Sequence, residues 1–271
     1  MTIDEIRNTV HDEYLAFAEE YDRYALSKDQ QNKTPFLDEV EEYLSLHKGK
    51  RLRPLLVLLA AKACGHIDHS HVLMATAMEL LHNATLMHDD VVDESDWRRG
   101  GESIRRRWGN QVAVLCGDFY LAQVMNILQT VGNREATKLI AQVVSTMCRG
   151  ELSQLYWTSK KEVTQNVYLD IIGDKTASLM GVCCELGALP PAAGSPAPSR
   201  QALHDFGYHY GLVFQMRDDL ADGVTAHDIH MPSTSVASEL IVRQCQLATD
   251  ALHSLPPNPA RDAMEALLFM D

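Results

Sequence analysis

Two stretches of this 271-residue chain carry aspartates at positions i, i+1 and i+4: Asp89, Asp90 and Asp93 in L-M-H-D-D-V-V-D-E, and Asp218, Asp219 and Asp222 in F-Q-M-R-D-D-L-A-D. On a helix the i and i+4 carboxylates share one face, where like charges destabilise the isolated element. A hard divalent cation offsets that repulsion. Mg²⁺ fits the donor type, because it binds through one or two carboxylates plus substrate phosphate oxygens rather than in an all-protein cage. One such motif, taken alone, reads more readily as a solvated acidic helix end. Two copies, each after an apolar helical run, read as a diphosphate and metal clamp on facing helices of a bundle.

Basic residues follow or precede these runs. Arg98 and Arg99, next to Gly100 and Gly101, come directly after the first aspartate motif, and Lys50, Arg51 and Arg53 lie in G-K-R-L-R-P at 49–54. Guanidinium forks match phosphate oxygens in pairs, and a lysine adds a point charge. Taken alone, 50–53 also reads as an ordinary charged helix start. A further element, D-K-T-A-S at 174–178, offers Lys175 and the Thr176 hydroxyl to a phosphate.

The elements that must hold these residues are helices. Apolar side chains recur three and four apart, as in Leu55, Leu58 and Leu59 or Met74, Ala77, Met78 and Leu81, which is the helical period. Strand signals are almost absent, so the expected fold class is all-α, a helical bundle with a central cavity. Proline clusters at Pro190, Pro191, Pro196 and Pro198 and at Pro256, Pro257 and Pro259 mark loops. With no change of character across them, one domain over 1–271 is the simpler reading.

Composition is globular, with 46% hydrophobic and 23% charged residues, and the formal net charge of -13 disfavours a nucleic-acid binder that works by bulk attraction to phosphate. The six cysteines show no C-x-x-C pair and suit a reducing cytoplasm. The N-terminal residues have no basic stretch followed by an apolar run, and no apolar run approaches the ~18 residues of a membrane span. C-G-H-I-D-H-S-H at 64–71 mimics a metal cluster but lacks regular ligand spacing and reads as a loop between helices. Trp97, Trp108 and Trp157 are expected to pack.

Taken in order, G-K-R-L-R-P at 49–54, H-D-D-V-V-D-E-S-D-x-R-R-G at 88–100, the Gly117-Asp118-Phe119 element, K-T-A at 175–177 and F-Q-x-x-D-D-x-x-D at 214–222 resemble the trans-polyprenyl diphosphate synthases. The likeness covers about 30–222 and resumes near 255–270. It implies the isoprenoid synthase helical fold and head-to-tail prenyl transfer, in which Mg²⁺ on Asp89, Asp93 and Asp218, with Asp219 and Asp222, binds an allylic diphosphate and stabilises its departure as diphosphate. Lys50, Arg53, His82 and Arg99 would hold isopentenyl diphosphate. Arg98, Lys175, Thr176 and Gln215 match positions that contact the allylic diphosphate, Lys175 being counted with the catalytic aspartates. Members are commonly homodimers, which the long apolar helices suit.

The resemblance also implies how product length is set. Bulky residues four and five positions before the first aspartate shorten the product; here those positions are Thr85 and Ala84, both small. The expectation is a heptaprenyl to decaprenyl product, with Met125 or Leu128 as a tunnel floor. One departure stands out. The family continues past its second motif through a lysine-containing loop, whereas 223–238 has no lysine, as though a segment after about residue 222 were lost or omitted from the chain. That loop helps close the site. Competing readings are a subunit that tunes a partner synthase, a terpene cyclase sharing the first motif, and a helical scaffold with solvated aspartates.

Overall fold

The structure, a computed structural model, describes residues 1–25, 35–47, 49–160, 163–189, 197–222 and 234–270. In chain order the first helices are α1 (Ile3–Asn8), α2 (His11–Tyr24), α3 (Pro35–Leu46), α4 (Leu52–Ala63) and α5 (His69–Val92). A two-strand antiparallel ribbon follows, β1 (Trp97–Arg98) and β2 (Gly101–Glu102), then α6 (Ile104–Trp108), α7 (Asn110–Val131), α8 (Arg134–Lys160) and α9 (Gln165–Ile172). A π-helical turn, Gly173–Ala177, leads into α10 (Ser178–Gly187), and α11 (Ala197–Asp222), α12 (Thr234–His253) and α13 (Pro259–Leu267) complete the order. The all-α expectation holds, with the short ribbon as an addition. Segment 223–233, where the lysine loop would lie, and the side chain of Asp222 are outside the described residues.

Two compact units emerge from the packing. One contains 11–55 and 68–133, the other 1–10, 56–67 and 134–271.

In the first unit α5 is the core helix. Its start is set by Asp68, whose carboxylate accepts from the backbone N–H of Ser70 and His71 at 2.9 and 3.3 Å, an N-cap that satisfies otherwise orphaned donors. The C-G-H-I-D-H-S-H segment is therefore an inter-helix loop and cap, as expected, turning at Gly65 with φ +84°. From His71 to Leu81 every residue of α5 is buried, and beyond that burial narrows to Asn83, Ala84, Met87 and Asp90. A helix buried all round thus becomes amphipathic where its polar residues begin. Helix α7 packs on α5 through Ala113, Cys116, Gly117, Tyr120, Val124 and Ile127, a stripe at three- and four-residue spacing. Contrary to the expectation that nothing in the chain approaches a membrane span, α7 is long and apolar enough to cross one. Gly117 in its buried stripe lets the helix close on His88, whose ring occupies the space a Cβ would need.

In the second unit α10 is buried almost throughout, from Leu179 to Cys184 and again at Leu186 and Gly187. Helix α11 approaches it through Gly207 and Gly211. A Cβ on Gly207 would lie 2.5 Å from the Met180 carbonyl oxygen, and one on Gly211 would lie 2.6 Å from Ala177 Cα. Tyr168, Ile172, Ala177, Leu212 and Met216 form a buried cluster beside this contact.

Two smaller expectations hold only in part. Trp97 is 71% exposed at the ribbon's edge and packs against little, whereas Trp108 makes an edge contact with Tyr43 and Trp157 with Tyr156. Met125 is 69% exposed and so floors no enclosed space, because it falls about 100° round the helix from Val124 in the α7 stripe; Leu128 is half-buried.

Candidate active site

Within the first unit, the aspartate motif occupies the last turns of α5 and divides by burial. Asp90 is 3% exposed and accepts from Arg98 Nε at 2.8 Å and Nη2 at 2.6 Å, both on Oδ1. Burial holds the Asp90 carboxyl above its ordinary range even so, outweighing the opposing pull of Arg98. Asp89 and Asp93 are half-buried. Asp93 caps the helix, its N–H donating to the Asp89 carbonyl at 2.8 Å. Arg98 is thereby an anchor for the ribbon as well as a candidate phosphate ligand.

The ribbon hands Arg99 back to α5. Its Nη2 lies 3.3 Å from His82 Nε2 and its Nη1 donates to Asn83 Oδ1 at 3.4 Å. A Cβ on Gly49 would lie 2.7 Å from Arg99 Cζ, so the glycine of G-K-R-L-R-P is what lets this guanidinium close on the loop. Burial, then the charges of Arg53, Arg99 and Arg98, holds His82 well below its ordinary pKa. His82 is therefore a neutral imidazole. If Nε2 accepts from Arg99, the proton sits on Nδ1, which becomes the donor available to a ligand. Arg53 is half-buried and Lys50 exposed.

Three non-glycine residues around this group, Arg51, Glu94 and Arg99, have φ of 51–52°. Such left-handed backbone costs about 1–3 kcal/mol per residue and collects where surrounding structure imposes a functional geometry.

Within the second unit, the K-T-A element lies in the π-helical turn. Gly150 of α8 is close enough that a Cβ there would meet Lys175 N at 2.9 Å. A π-turn re-aims side chains relative to a regular helix and is frequent at functional sites; nothing in the sequence signals it. Lys175 Nζ is 2.7 Å from Glu151 Oε2 and donates to Gln154 Oε1 at 3.3 Å. The Thr176 hydroxyl donates to Gln215 Oε1 at 2.9 Å, and Gln215 Nε2 donates to Asp219 Oδ1 at 2.8 Å. The Tyr168 hydroxyl donates to the other oxygen of Asp219 at 2.6 Å. Burial and the Asp219 charge raise the Tyr168 phenol, keeping it a donor. Each Asp219 oxygen retains a lone pair, so these bonds leave a metal contact possible. Asp218 is exposed.

Among the described residues, no three His, Cys, Asp or Glu side chains gather into a ready-made metal cage. The donor chemistry nonetheless fits Mg²⁺: hard carboxylate oxygens at half-buried or exposed positions, of the kind that would hold the ion together with substrate phosphate oxygens.

Residues 34–230 match the polyprenyl synthetase family model. The chain belongs to the polyprenyl synthetase family. It is 39% identical over 187 residues to heptaprenyl diphosphate synthase component 2 of Geobacillus stearothermophilus, an alignment spanning 69% of this chain and 58% of that protein. The chain thus spans little more than half the length of the curated relatives it matches. Among solved structures, a decaprenyl diphosphate synthase from Rhodobacter capsulatus superposes with TM-score 0.86 at 26% identity, covering 99% of this chain and 98% of the other. A polyprenyl synthase from Caulobacter crescentus CB15, complexed with calcium and isoprenyl diphosphate, gives 0.85 at 27%, covering 98% and 96%. The matched segment of this polyprenyl synthetase family member contains every residue singled out from its motifs.

Sequence reasoning passed over three members of the α5 group, Tyr21, Glu79 and Asn83, and took Arg51 only as part of a basic run. Asn83 Nδ2 donates to the Tyr21 hydroxyl at 2.9 Å, and Arg51 Cζ lies 4.7 Å from the Tyr21 ring centroid. The available signal was Glu79, an acid inside the apolar run M-A-T-A-M-E-L-L.

Proposed function

We propose that this chain is a prenyltransferase that condenses an allylic diphosphate with successive isopentenyl diphosphates. The observation that carries this reading is the arrangement along α5. A neutral His82 and the Arg99 guanidinium stand 3.3 Å apart, and the Asp89 and Asp93 pair begins seven residues further on, about 10 Å along the axis. One helix thus bears an anion-binding group of the kind a diphosphate needs and, two turns away, hard-oxygen donors for a metal-borne diphosphate.

In this reading Lys50, Arg53, His82 and Arg99 hold isopentenyl diphosphate. Asp89, Asp93, Asp218, Asp219 and Asp222 supply carboxylate oxygens for Mg²⁺, which when bound neutralises diphosphate charge as it leaves the allylic carbon. Arg98, Lys175, Thr176 and Gln215 hold the allylic diphosphate. For Lys175 that means exchanging Glu151 for phosphate oxygen. Ala84 is fully buried, and the hydroxyl of half-buried Thr85 is turned back to the His82 carbonyl at 2.9 Å. Both are small, which supports a long product of the heptaprenyl to decaprenyl class. The free cysteines suit a reducing cytoplasm, and the long apolar helices suit a homodimer.

The test is incubation of purified protein with farnesyl diphosphate, radiolabelled isopentenyl diphosphate and Mg²⁺, with chain length read by reverse-phase chromatography. Products of thirty-five or more carbons are expected; a product that stops at twenty refutes the long-chain reading, and no incorporation refutes self-sufficient catalysis. A second reading, one component of a two-part synthase, is favoured by the name of the Geobacillus relative. It predicts an inactive chain whose activity returns when a partner subunit is supplied.

A further inference from the structure

Tyr168 lies on α9, in the helix before the K-T-A element and outside every motif read from the sequence. It is 1% exposed and packed with Ile172, Ala177, Leu212 and Met216, which hold the ring and leave its hydroxyl one direction. That direction is Asp219 Oδ2, at 2.6 Å. The opposite oxygen, Oδ1, accepts from Gln215 Nε2 at 2.8 Å, one turn earlier on α11. Gln215 is itself oriented by the Thr176 hydroxyl at 2.9 Å, so α9, the π-helical turn and α11 converge on one carboxylate. All of these donors are neutral. The basic side chains that the three elements carry are engaged elsewhere: Lys175 with Glu151 at 2.7 Å, Arg200 with Glu185 at 2.6 Å, and Arg217 with the Leu268 and Met270 carbonyl oxygens at 2.8 and 3.1 Å. The first motif does the reverse, setting two donors of one cation on a single oxygen of Asp90. Neutral donors on both oxygens fix a carboxylate's plane without cancelling its charge.

We propose that Tyr168 is a positioning residue for the metal-borne allylic diphosphate: its buried hydroxyl, with Gln215 opposite, holds the Asp219 carboxylate in one orientation and fully charged, leaving each oxygen a lone pair for a divalent cation. The inference rests on the reading of Asp219 as a metal ligand given above. Tyr168 acts only through Asp219. Without the hydroxyl the carboxylate is held at one oxygen alone, and binding a cation must then also stop its rotation. Removing such a partner of a metal-ligating group costs about 10–100-fold in metal affinity. The low end applies here, because Gln215 remains and phosphate oxygens share the cation.

The probe is Mn²⁺, which takes the same hard oxygen donors and whose free form is counted by electron paramagnetic resonance. It is titrated into the full chain with an equimolar, unreactive thiolo analogue of farnesyl diphosphate, so that nothing turns over. Tyr168→Phe is expected to raise the Kd of Mn²⁺ about tenfold. In steady state the Mg²⁺ concentration for half-maximal rate should rise equally, while KM for isopentenyl diphosphate at saturating Mg²⁺ stays within about twofold. Replacing Tyr168 by 4-aminophenylalanine keeps a donor in place and should hold Kd within about threefold of wild type; it decides the matter if the Phe variant does not fold. A folded Tyr168→Phe chain that binds Mn²⁺ as wild type does, while Asp219→Asn binds it less well, overturns the proposal. So does a 4-aminophenylalanine variant with the full loss, or a fall in kcat with an unchanged Mg²⁺ requirement, which a purely structural role would give. If Asp219→Asn itself binds Mn²⁺ as wild type does, the metal reading of Asp219 fails first, before Tyr168 is in question.

Discussion

Replacing Arg98 tests whether the middle aspartate of the first motif is an interior anchor. Two Arg98 donors, at 2.6 and 2.8 Å, share one oxygen of a carboxylate that is 3% exposed. Hydrogen bonds to charged groups contribute about 1.5–3 kcal/mol each. The Arg98 side chain is 36% exposed, however, so solvent screening brings the two together to about 2 kcal/mol. Arg98→Met should therefore cost about 2–3 kcal/mol, the excess coming from a buried carboxylate left with Arg105 as its remaining counter-charge. Adding Asp90→Asn removes that charge and recovers part of the loss, giving a coupling of about 2 kcal/mol in the double-mutant cycle. The pH dependence has a definite sign. Burial already holds the Asp90 carboxyl above 3.8, and losing Arg98 raises it further. A group raised in the folded state contributes most below its unfolded value and loses that contribution as pH rises through the folded one. The deficit of Arg98→Met is thus smallest near pH 4 and grows towards neutrality. Urea unfolding at pH 4.5 and 7.5 reads it, and Tm at pH 7.5 should fall about 4–8 °C. Coupling below about 0.5 kcal/mol, or a deficit that shrinks as pH rises, refutes the reasoning.

Three further outcomes are expected. Tyr168→Phe removes the 2.6 Å donor to Asp219 but leaves that from Gln215; it should cost about 1–2 kcal/mol in urea unfolding and be less than additive with Asp219→Asn, strict additivity being the contrary result. Gly211→Ala sets a methyl 2.6 Å from Ala177 Cα, between backbones that cannot yield like a flexible side chain, and should cost about 1–3 kcal/mol; an unchanged Tm would contradict the close approach of α11. His82 is held below 6.5 in the folded chain, so its contribution is present above that value and lost as pH falls towards the depressed one. Wild type should therefore lose stability below pH 6.5 more steeply than His82→Gln, and parallel profiles would show that the imidazole is unperturbed.

Some of this protein was legible in its residue order because the information is local. The three- and four-residue apolar period announces helices, C-G-H-I-D-H-S-H announces a loop between two of them, and two D-D-x-x-D runs, the first followed by R-R-G, announce metal and phosphate chemistry. Those are contacts along one element, where spacing is geometry. The rest depends on which face each element turns to its neighbours, and residue order does not carry that. Asp89, Asp90 and Asp93 are chemically alike as text, yet packing buries Asp90 on Arg98 and leaves the other two half-buried. Arg51 and Arg53 sit two apart in one basic run, but the first is spent over the Phe17 and Tyr21 rings. The neutrality of His82, the π-turn under Lys175 and Thr176, and the burial of Glu79 are tertiary in the same sense. Each arises from the desolvation and close approach of groups far apart along the chain, and charge and protonation state follow from those surroundings rather than from residue type.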